Sequence, residues 1–301
     1  MLLVFGSGCP ANCPKAFSTM RVLVTGGSGY LGFHVRRFFA ADDFSRRSGK
    51  DILDPEATRQ ISEYDVVIHL AALLDRRPEN ASQVFRTNVE GTINILQNLK
   101  KDAVFIFAST KDVYGRFADN YIEVNEQCPV VYSGQSVLEW SKYIAEKYVE
   151  FYAAMKGFRS CIFRLSAVYA PPSEGNIPGF AGAFAEAINL GEPIRLLEGG
   201  RPIRDLLYVD DFSRACKLFV DSIIRNGLYN LGGGRENAAT LTELISIIEE
   251  VSGLQAVLTD GESPPAPPPK RYITDFSLAA SELGWKPEIG LREGLAKLFG
   301  K

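Results

Sequence analysis

Short apolar segments recur along the chain, and longer segments with helical spacing separate them. The apolar segments are rich in Val, Ile, Leu and Phe and occupy residues 21–25, 65–72, 104–109 and 160–165. The segments with helical spacing include residues 81–99 and 136–156. Strands that are covered on both faces of a parallel sheet are nearly continuously apolar, and strands that alternate with helices form doubly wound sheets. The pattern therefore predicts an α/β fold built on a doubly wound parallel sheet.

A glycine-rich turn directly follows the first predicted strand. Gly26, Gly29 and Gly32 have GxxGxxG spacing, and residues 33–39 continue with helical spacing. The first glycine permits a tight turn, the second lets the backbone approach a pyrophosphate, and the third lets the helix pack against the strand. The helix N-terminus would present free N–H groups to the phosphates. This arrangement predicts a dinucleotide site in a Rossmann-type domain; the alternative is a glycine turn that holds no ligand.

The last third of the chain has a different pattern, in which loops rich in Gly and Pro separate the predicted elements. Residues 171–201 combine such a loop with a predicted helix at 180–190. Loops at the carboxyl ends of sheet strands carry specificity in folds of this kind. We therefore predict a Rossmann-type domain over residues 20–170 and a smaller C-terminal substrate domain over 171–301, with about 204–232 returning to the first domain.

Two segments lie outside this pattern. Residues 1–19 contain two Cys-Pro pairs and an apolar stretch that is too short for a signal-peptide core. We expect them to be a dispensable extension ahead of Met20; the alternative is a redox or metal-binding tail. The polyproline-like stretch 264–269 is expected to be a loop spacer that leads Arg271 into the substrate site, and the alternative is a partner-binding segment.

The composition excludes several classes of function. The 301 residues carry a net charge of −3, are 46% hydrophobic and 23% charged, and therefore have no basic excess for nucleic-acid binding. No apolar run reaches the roughly 20 residues that span a bilayer. The two histidines, His34 and His69, and the five cysteines without a CxxC pair predict neither a metal site nor a disulfide framework. We expect a cytoplasmic protein with no nucleic-acid or membrane partner.

Further motifs recur in the order and spacing of a known family. The chain resembles the extended short-chain dehydrogenase/reductase family, in its NAD-dependent epimerase/dehydratase branch, over essentially residues 20–299. The matching segments are short and are distributed along the chain: 25–32 (TGGSGYLG), 51–54 (DILD), 69–72 (HLAA), 88–92 (NVEGT), 108–115 (ASTKDVYG), 141–142 (SK), 164–169 (RLSAVY), 204–211 (RDLLYVDD), 229–233 (YNLGG) and 283–287 (LGWKP). Each is modest alone, but their order and spacing together are specific.

The resemblance implies a nucleotide-sugar-modifying enzyme with NAD or NADP as cofactor and with no metal. The residues implied to bind the cofactor are Gly26, Gly29, Tyr30, Leu31 and Gly32 at the pyrophosphate turn, Asp51 and Ile52 beside the adenine, Leu70, Ala71 and Ala72 along the ribose and nicotinamide path, Asn88 behind the site, and Lys142 at the nicotinamide ribose. The alternative for Asn88 is that it satisfies backbone groups between helices.

The resemblance also implies residues on the substrate side. Thr110 falls at the position of the family's catalytic Ser/Thr, which hydrogen-bonds the reacting oxygen of the substrate. Arg204 matches an arginine that binds the phosphates of a nucleotide sugar, and Arg271 is expected to reach the same substrate. The alternatives are that Thr110 is an ordinary residue at a strand end and that Arg204 forms a surface ion pair with Asp205 or Asp210.

The largest departure from the family is Leu138, which stands where the family has a tyrosine four residues before Lys142. That tyrosine is the family's general acid/base, and the lysine one helical turn away lowers its pKa. Leucine cannot transfer a proton. One explanation is that Asp112, at the place of the proton-abstracting glutamate of dehydratases, or Tyr132, in the loop before the helix, replaces it. The others are that the protein binds its ligands with little turnover, or that Tyr143 occupies the site.

Two further departures concern the ligands. After the second strand, Ser45 and Arg46 would suit the 2′-phosphate of NADP, whereas Asp42 or Asp43 would suit the 2′-hydroxyl of NAD, and the choice stays open. Ala167 stands where many relatives have an asparagine that touches the substrate phosphate. The resemblance therefore implies no particular nucleotide sugar.

We expect an NAD(P)-dependent nucleotide-sugar enzyme of the epimerase/dehydratase type, an oxidoreductase or isomerase that acts by hydride transfer at a sugar carbon. Within this class the alternative is a nucleotide-4-ketosugar reductase. The alternative from another class is a cofactor-binding pseudoenzyme with a sensing or scaffolding role, which Leu138 favours. Relatives often pair through the helices that correspond to residues 81–99 and 136–156, so the resemblance implies a homodimer.

Overall fold

The main sheet has six parallel strands. The computed structural model describes residues 20–173, 175–176, 178–261 and 268–301, so the predicted extension over residues 1–19 lies outside it. The strands of this sheet are β1 (Val22–Thr25), β2 (Asp42–Phe44), β3 (Val66–His69), β4 (Val104–Thr110), β5 (Arg159–Leu165) and, later in the chain, β9 (Asn226–Leu231). Their spatial order is β2–β1–β3–β4–β5–β9, and every pairing is parallel. The predicted doubly wound sheet is confirmed.

Helices cover both faces of this sheet. They are α1 (Tyr30–Phe39), α2 (Pro55–Thr58), α3 (Ala81–Phe85), α4 (Gly91–Asn98), α5 (Val137–Lys156) and α7 (Val209–Asp221). A π-helical turn over Arg86–Glu90 joins α3 to α4, so these two helices continue one another along the predicted segment 81–99. Alternate strand residues enter opposite apolar clusters, as Leu23 and Val24 do in β1. This two-sided burial explains why the strands are nearly continuously apolar.

The C-terminal part builds two smaller sheets. Their strands are β6 (Ala167–Tyr169), β7 (Pro193–Leu197), β8 (Ile203–Tyr208), β10 (Ala238–Thr240), β11 (Val257–Gly261) and β12 (Arg271–Tyr272). In one sheet β8 lies between β10 and β12 and also pairs with β6, and in the other β7 pairs with β11. The remaining helices are α6 (Phe180–Leu190), α8 (Leu241–Ser252), α9 (Ser277–Leu283) and α10 (Leu291–Lys297). The domain boundaries stay a prediction.

The strand order identifies one edge of the main sheet as the place for a ligand. The chain winds from β1 outward to β2 on one side and from β3 to β4 and β5 on the other, so the direction of winding switches between β1 and β3. Ligands bind outside the carboxyl ends of the strands at such a switch point. Among the described helices, none has the length and apolar character needed to cross a membrane.

Candidate active site

The glycine turn after β1 forms a tight cradle. Gly26 has a φ of +70°, and a Cβ there would lie 2.8 Å from the backbone nitrogen of Ala71. A Cβ on Gly32 would overlap the carbonyl oxygen of Gly26. Helix α1 begins directly after Gly29, and no described side chain caps it, so its first N–H groups are available to a ligand. The turn therefore fits the pyrophosphate of a dinucleotide.

The side chain of Tyr30, a predicted cofactor residue, makes hydrogen bonds within the protein. Its hydroxyl donates to the carbonyl oxygen of Ala170 at 2.7 Å and accepts from the backbone nitrogen of Ala170 at 2.8 Å. The ring therefore fastens α1 to the chain that follows β6. Leu31 is partly buried against the core. These two residues can meet the cofactor through their backbone, while their side chains set the position of α1.

Asp43 lies beneath the start of the glycine turn. Its Oδ2 accepts hydrogen bonds from Ser28 Oγ and, at 3.0 Å, from Ser45 Oγ. Its Oδ1 is buried and has no hydrogen-bond partner among the described residues, and a Cβ on Gly27 would lie 2.6 Å from it. An unpartnered buried carboxylate oxygen requires a donor. A ribose hydroxyl is such a donor, so the residues present fit the ribose of a dinucleotide.

The two arginines after β2 differ in their environments. Arg46, the predicted ligand of a 2′-phosphate, is exposed. Arg47 instead reaches across the turn, and its Nη1 donates to the Ser28 carbonyl oxygen at 3.0 Å and to Asn176 Oδ1 at 3.0 Å. Its Nη2 donates to the carbonyl oxygen of Gly175. Arg47 therefore connects the glycine turn to the loop before α6, a contact that no sequence pattern signals.

The predicted adenine residues lie in a turn after β2. Asp51 Oδ1 accepts from the backbone nitrogen of Leu53 at 2.9 Å. Ile52 is only 6% exposed, packs in the core against Gly91, and its carbonyl oxygen accepts from Asn94 Nδ2 at 2.9 Å. The Ile52 side chain thus anchors this turn to α4, and it is Asp51 that stays partly exposed beside the sheet edge.

Asn88 corrects the expectation that its side chain serves the cofactor. It is 1% exposed, its Oδ1 accepts from Leu73 N at 2.7 Å, and its Nδ2 donates to the Leu73 carbonyl oxygen at 3.1 Å and to Ser141 Oγ at 2.9 Å. The amide is therefore fully occupied, and the alternative role of satisfying backbone groups describes it better. It holds the loop containing Leu70, Ala71 and Ala72, all partly exposed, against α5.

His69 is a structural residue below the site. Its Nδ1 lies 2.5 Å from Thr25 Oγ1 and its Nε2 lies 2.9 Å from Thr92 Oγ1. Burial, with a contribution from the nearby Lys142 charge, lowers the pKa of His69 to about 3. The imidazole is therefore neutral at physiological pH and joins β1, β3 and α4.

Lys142 is buried directly below the carboxyl end of β4. The residue is 6% exposed, its Nζ donates to the Ala108 carbonyl oxygen at 2.8 Å, and it lies 4.9 Å from the centre of the Phe107 ring. Burial lowers the pKa of Lys142 to about 8, against the opposing effect of Glu146. Leu138, one turn earlier on α5, is buried at 4% exposure. The helix therefore places the expected lysine and the unexpected leucine on one face.

Thr110 and Asp112 follow at the end of β4. Thr110 Oγ1 accepts from the Asp112 backbone nitrogen at 3.1 Å. The Asp112 carboxylate contacts Lys111 Nζ through Oδ1 and Arg76 Nη2 through Oδ2, the latter at 3.1 Å. Arg76 Nε also donates to Glu139 Oε1 at 2.9 Å. We call Arg76, Lys111, Asp112 and Glu139 the ionic cluster.

The ionic cluster argues against the predicted proton transfer by Asp112. Burial raises the pKa of Asp112, but the opposing charges of Lys111 and Arg76 prevail and lower it to about 2. A carboxylate with such a pKa is ionised throughout the physiological range and is a weak base. Neither Arg76 nor Glu139 was predicted from the sequence as part of the site. Glu139 had a readable signal, because Ser136 and Glu139 form a capping box at the start of α5.

The two candidate tyrosines lie apart from the buried lysine. Tyr132 is 76% exposed, and its hydroxyl makes no hydrogen bond to Thr110 or Lys142. Tyr143 is partly buried against an apolar cluster that includes Val113 and Tyr272, and its ring centre lies 6.0 Å from that of Trp140. Tyr132 would have to move to reach the site, and the position of Tyr143 agrees with the expectation that it faces another side of α5.

Arg204 and Arg271 lie on neighbouring strands of the smaller sheet. Arg271 pairs in register with Ile203, and Tyr272 pairs with Arg204. Arg204 is 9% exposed, and its guanidinium donates to the Ile203 carbonyl oxygen at 2.7 Å. In the part of the chain that the structure describes, no carboxylate lies within ion-pair distance of Arg204, so the alternative of a pair with Asp205 or Asp210 is not what is observed.

Arg271 is a second cationic side chain with a hydrogen-bond donor that no described residue accepts. Its Nε is buried without a partner in the described chain. Burial lowers the pKa of Arg204, and Asp112 and Asp119 act in the opposite direction, so Arg204 lies within electrostatic range of the ionic cluster. Two guanidinium groups with spare donors beside the end of β4 fit an anionic group of a substrate.

The comparisons with known proteins agree with this geometry. The family model of the NAD dependent epimerase/dehydratase family matches residues 22–232. The chain belongs to this family. The match confirms the predicted family and, at the level of the family, the predicted enzyme class.

Individual relatives extend over nearly the whole chain. A putative UDP-glucose 4-epimerase of Methanocaldococcus jannaschii is 29% identical, over 92% of this chain and 96% of the relative. A CDP-paratose 2-epimerase of Salmonella typhi is 25% identical, over 93% of this chain and 98% of the relative. The solved structure of a UDP-glucose 4-epimerase from Thermotoga maritima, with UDP-glucose, has a TM-score of 0.79 at 26% identity and covers 93% of this chain and 99% of its own.

Proposed function

We propose that this protein is an NAD-dependent enzyme that acts on a nucleotide sugar by hydride transfer at a sugar carbon, as an epimerase or dehydratase. The observation that carries the proposal is the combination of three features. The first two are the glycine cradle after β1 and the pair Thr110 and Lys142 at the end of β4, both at the carboxyl edge of the main sheet. The third is Arg204, which lies on β8 of a smaller sheet and within electrostatic range of Asp112. Solved relatives support the substrate class, because MoeE5, 25% identical with a TM-score of 0.80, was determined with UDP-glucose and NAD.

Different residues of this chain would bind the cofactor and the nucleotide sugar. Gly26 and Gly32 let the backbone approach the pyrophosphate, and the start of α1 offers it N–H donors. Arg204 and Arg271 would hold the diphosphate of the nucleotide sugar. Thr110 would donate to the sugar oxygen that becomes a carbonyl. When bound, the nicotinamide supplies the acceptor for hydride.

We propose NAD rather than NADP as the cofactor. Asp43 Oδ1 has no partner among the described residues, while Oδ2 lies 3.7 Å from Arg36 Nη1. The unpartnered carboxylate oxygen suits a ribose hydroxyl and would repel a 2′-phosphate placed at the same point. Arg47 cannot readily offset this repulsion because its guanidinium is engaged by Ser28, Gly175 and Asn176. Arg46 remains exposed. Titration calorimetry with each dinucleotide would test this choice, and tighter binding of NADP would contradict it.

The function itself is tested with the purified protein. NAD would be added, or co-purified cofactor identified, and the protein then mixed with UDP-glucose, UDP-glucuronic acid and dTDP-glucose. The proposal expects an altered sugar by mass spectrometry or NMR with at least one of them. Reduced nicotinamide should be seen by absorbance only transiently, because an epimerase or dehydratase returns the hydride to the sugar. Cofactor binding without turnover in this protein and in Leu138→Tyr would favour the pseudoenzyme alternative, which the buried Leu138 supports.

We also propose that the protein is a homodimer through the outer faces of α3 and α5. Four large apolar side chains are exposed there: Phe85 at 43%, Tyr148 at 39%, Phe151 at 57% and Met155 at 59%. Contiguous apolar patches on a helix pair are typical of interfaces. Light scattering should show a dimer that Phe151→Glu with Met155→Glu converts to a monomer. Ile223→Glu, at an isolated site that is 96% exposed, is the matched control.

A further inference from the structure

Removing a proton from the sugar hydroxyl requires a base, and the described residues around the site offer few. Asp112 is held ionised by Lys111 and Arg76. Tyr132 is at the surface, and the Tyr143 ring packs against an apolar cluster that includes Val113 and Tyr272. Leu138 occupies the position from which the family's tyrosine acts. Two further groups lie there: Lys111 is ion-paired with Asp112, and burial raises the pKa of Tyr272 well above its usual value. The described group that is left at the end of β4 is Lys142.

We propose that Lys142 is itself the acid/base group, and that it takes the proton of the sugar hydroxyl directly in place of the tyrosine that Leu138 replaces. This inference rests on the proposed function. Lys142 lies on the same face of α5 as Leu138, one turn further along the helix. Its Nζ is fixed by the Ala108 carbonyl oxygen at 2.8 Å, two residues before Thr110 on β4. Lys142 and Thr110 are thus both placed at the end of β4, and a buried leucine stands where the phenol would be.

The charges around Lys142 favour a neutral amine. From α5, Glu146 faces it, but that carboxylate accepts from Arg164 Nε at 3.0 Å and Nη2 at 2.7 Å and also from Ser109 Oγ. Arg164, on β5, also donates to the Tyr114 hydroxyl at 3.0 Å. From β3, His69 is neutral. The charge of Glu146 is thus matched by Arg164, and no carboxylate among the described residues pairs with the buried ammonium.

Burial without a dedicated counter-ion has a defined consequence for titration. It lowers the pKa of Lys142 to about 8, so a substantial fraction of the side chain is neutral near physiological pH and can accept a proton. In the forward step, the sugar O–H bond breaks and its proton moves to the Lys142 amine. The neighbouring C–H bond breaks and its hydride leaves to oxidised nicotinamide, and a C=O bond forms. In the reverse step the hydride returns from reduced nicotinamide to the carbon while the proton moves from the ammonium to the carbonyl oxygen.

The decisive experiment is the pH dependence of nicotinamide reduction in a single turnover, combined with direct titration of Lys142. The rate for the unmodified protein with the active sugar of the panel should rise from about pH 6 to about pH 10 with a midpoint near 8, where the pKa of Lys142 lies. The Lys142 signal, labelled with carbon-13 and assigned by its loss in Lys142→Arg, should titrate at the same midpoint in NMR. This second readout needs no turnover.

Variants separate a proton-transfer role from a structural one. Lys142→Arg keeps a cation at the position assigned to the nicotinamide ribose, but that cation cannot deprotonate. The rate at saturating NAD should therefore fall about 10²- to 10⁴-fold, and NAD affinity is measured separately. Added methylamine should partly rescue Lys142→Ala in proportion to the free amine. Leu138→Tyr should move the midpoint because a phenol then takes the proton, and Leu138→Phe, its match without a hydroxyl, should not.

The outcomes that overturn the inference differ from those that overturn the function. A rate that is independent of pH over this range, a Lys142 signal that titrates above about pH 10, or undiminished turnover in Lys142→Arg would each refute the role of Lys142. Turnover only in Leu138→Tyr would refute it as well and would leave the cofactor and substrate site intact. No turnover in either protein would instead contradict the proposed function.

Discussion

The cofactor side and the catalytic side of the cleft follow different rules, although both lie at the carboxyl ends of the same six strands. On the cofactor side, Gly26 and Gly32 have backbone neighbours so close that no side chain would fit. On the catalytic side, Leu138 replaces a proton-transferring group, and four charged side chains form an ionic cluster next to it. Binding of a dinucleotide depends on backbone shape, whereas proton transfer depends on single side chains that can be replaced.

This contrast teaches which kinds of substitution each side tolerates. A residue that is required for its lack of a side chain cannot change without loss of the cradle. A residue that supplies a proton can be lost when another titratable group lies within reach. The buried Lys142, whose pKa burial lowers to about 8, is that group here. Variants on the two sides should therefore fail in different ways.

The largest effect is expected on the cofactor side. In Gly32→Ala the new methyl group would overlap the Gly26 carbonyl oxygen, so α1 must move away from the turn. We expect a loss of NAD affinity of about 10- to 100-fold, measured by titration calorimetry. Gly290→Ala is the control, because its φ is −67° and no atom lies within 4 Å of the added Cβ. Unchanged NAD affinity in Gly32→Ala would show that the cofactor side also tolerates an added side chain, against the difference between the two sides.

An intermediate effect is expected at the substrate phosphates. Arg204→Gln removes a partly unsatisfied, buried cation, and the KM for the nucleotide sugar should rise about 10- to 100-fold with unchanged NAD affinity. Arg235→Gln, at an exposed ion pair with Glu123, should leave both constants as they are. Weaker NAD binding in Arg204→Gln would show that this arginine serves the cofactor side.

The smallest effect is expected at Asp112. Because Lys111 and Arg76 overcome the effect of burial and lower the pKa of Asp112 to about 2, the carboxylate should not move protons at neutral pH. Asp112→Asn should change the turnover rate by less than about 3-fold, well below the roughly 10²-fold that loss of an acid/base group causes. The midpoint of the pH profile should stay in place. A loss of about 10²-fold or more in this variant would restore Asp112 as the proton carrier.

The sequence predicted the sheet well, because its signal is periodic and local. The strands at 22–25, 66–69, 104–110 and 159–165 fall within a few residues of the apolar segments, since two-sided burial leaves little choice of residue. The glycine turn was equally readable. The π-helical turn at Arg86–Glu90 was not, because nothing in the spacing of residues 81–99 marks it.

The site was harder to predict where it depends on contacts between distant segments. The link from Arg47 to Asn176 and the bridge by Arg76 between Asp112 and Glu139 join residues far apart in the chain, and no local pattern pairs them. Asn88 showed the opposite error, because its place in a family motif suggested a ligand contact while its amide is occupied by Leu73 and Ser141. The sequence indicated which positions carry side chains that can bind or react. Only the structure showed which of those side chains are already held by hydrogen bonds or ion pairs.

The most direct test of the account is the single-turnover absorbance of reduced nicotinamide when the NAD-loaded protein meets the sugar panel at a pH above the Lys142 midpoint of about 8. Reduced nicotinamide should form in the unmodified protein, and it should form at least about 10²-fold more slowly in Lys142→Arg. Equal rates in the two proteins, or reduced cofactor only after Leu138→Tyr, would contradict the role of Lys142 as the base.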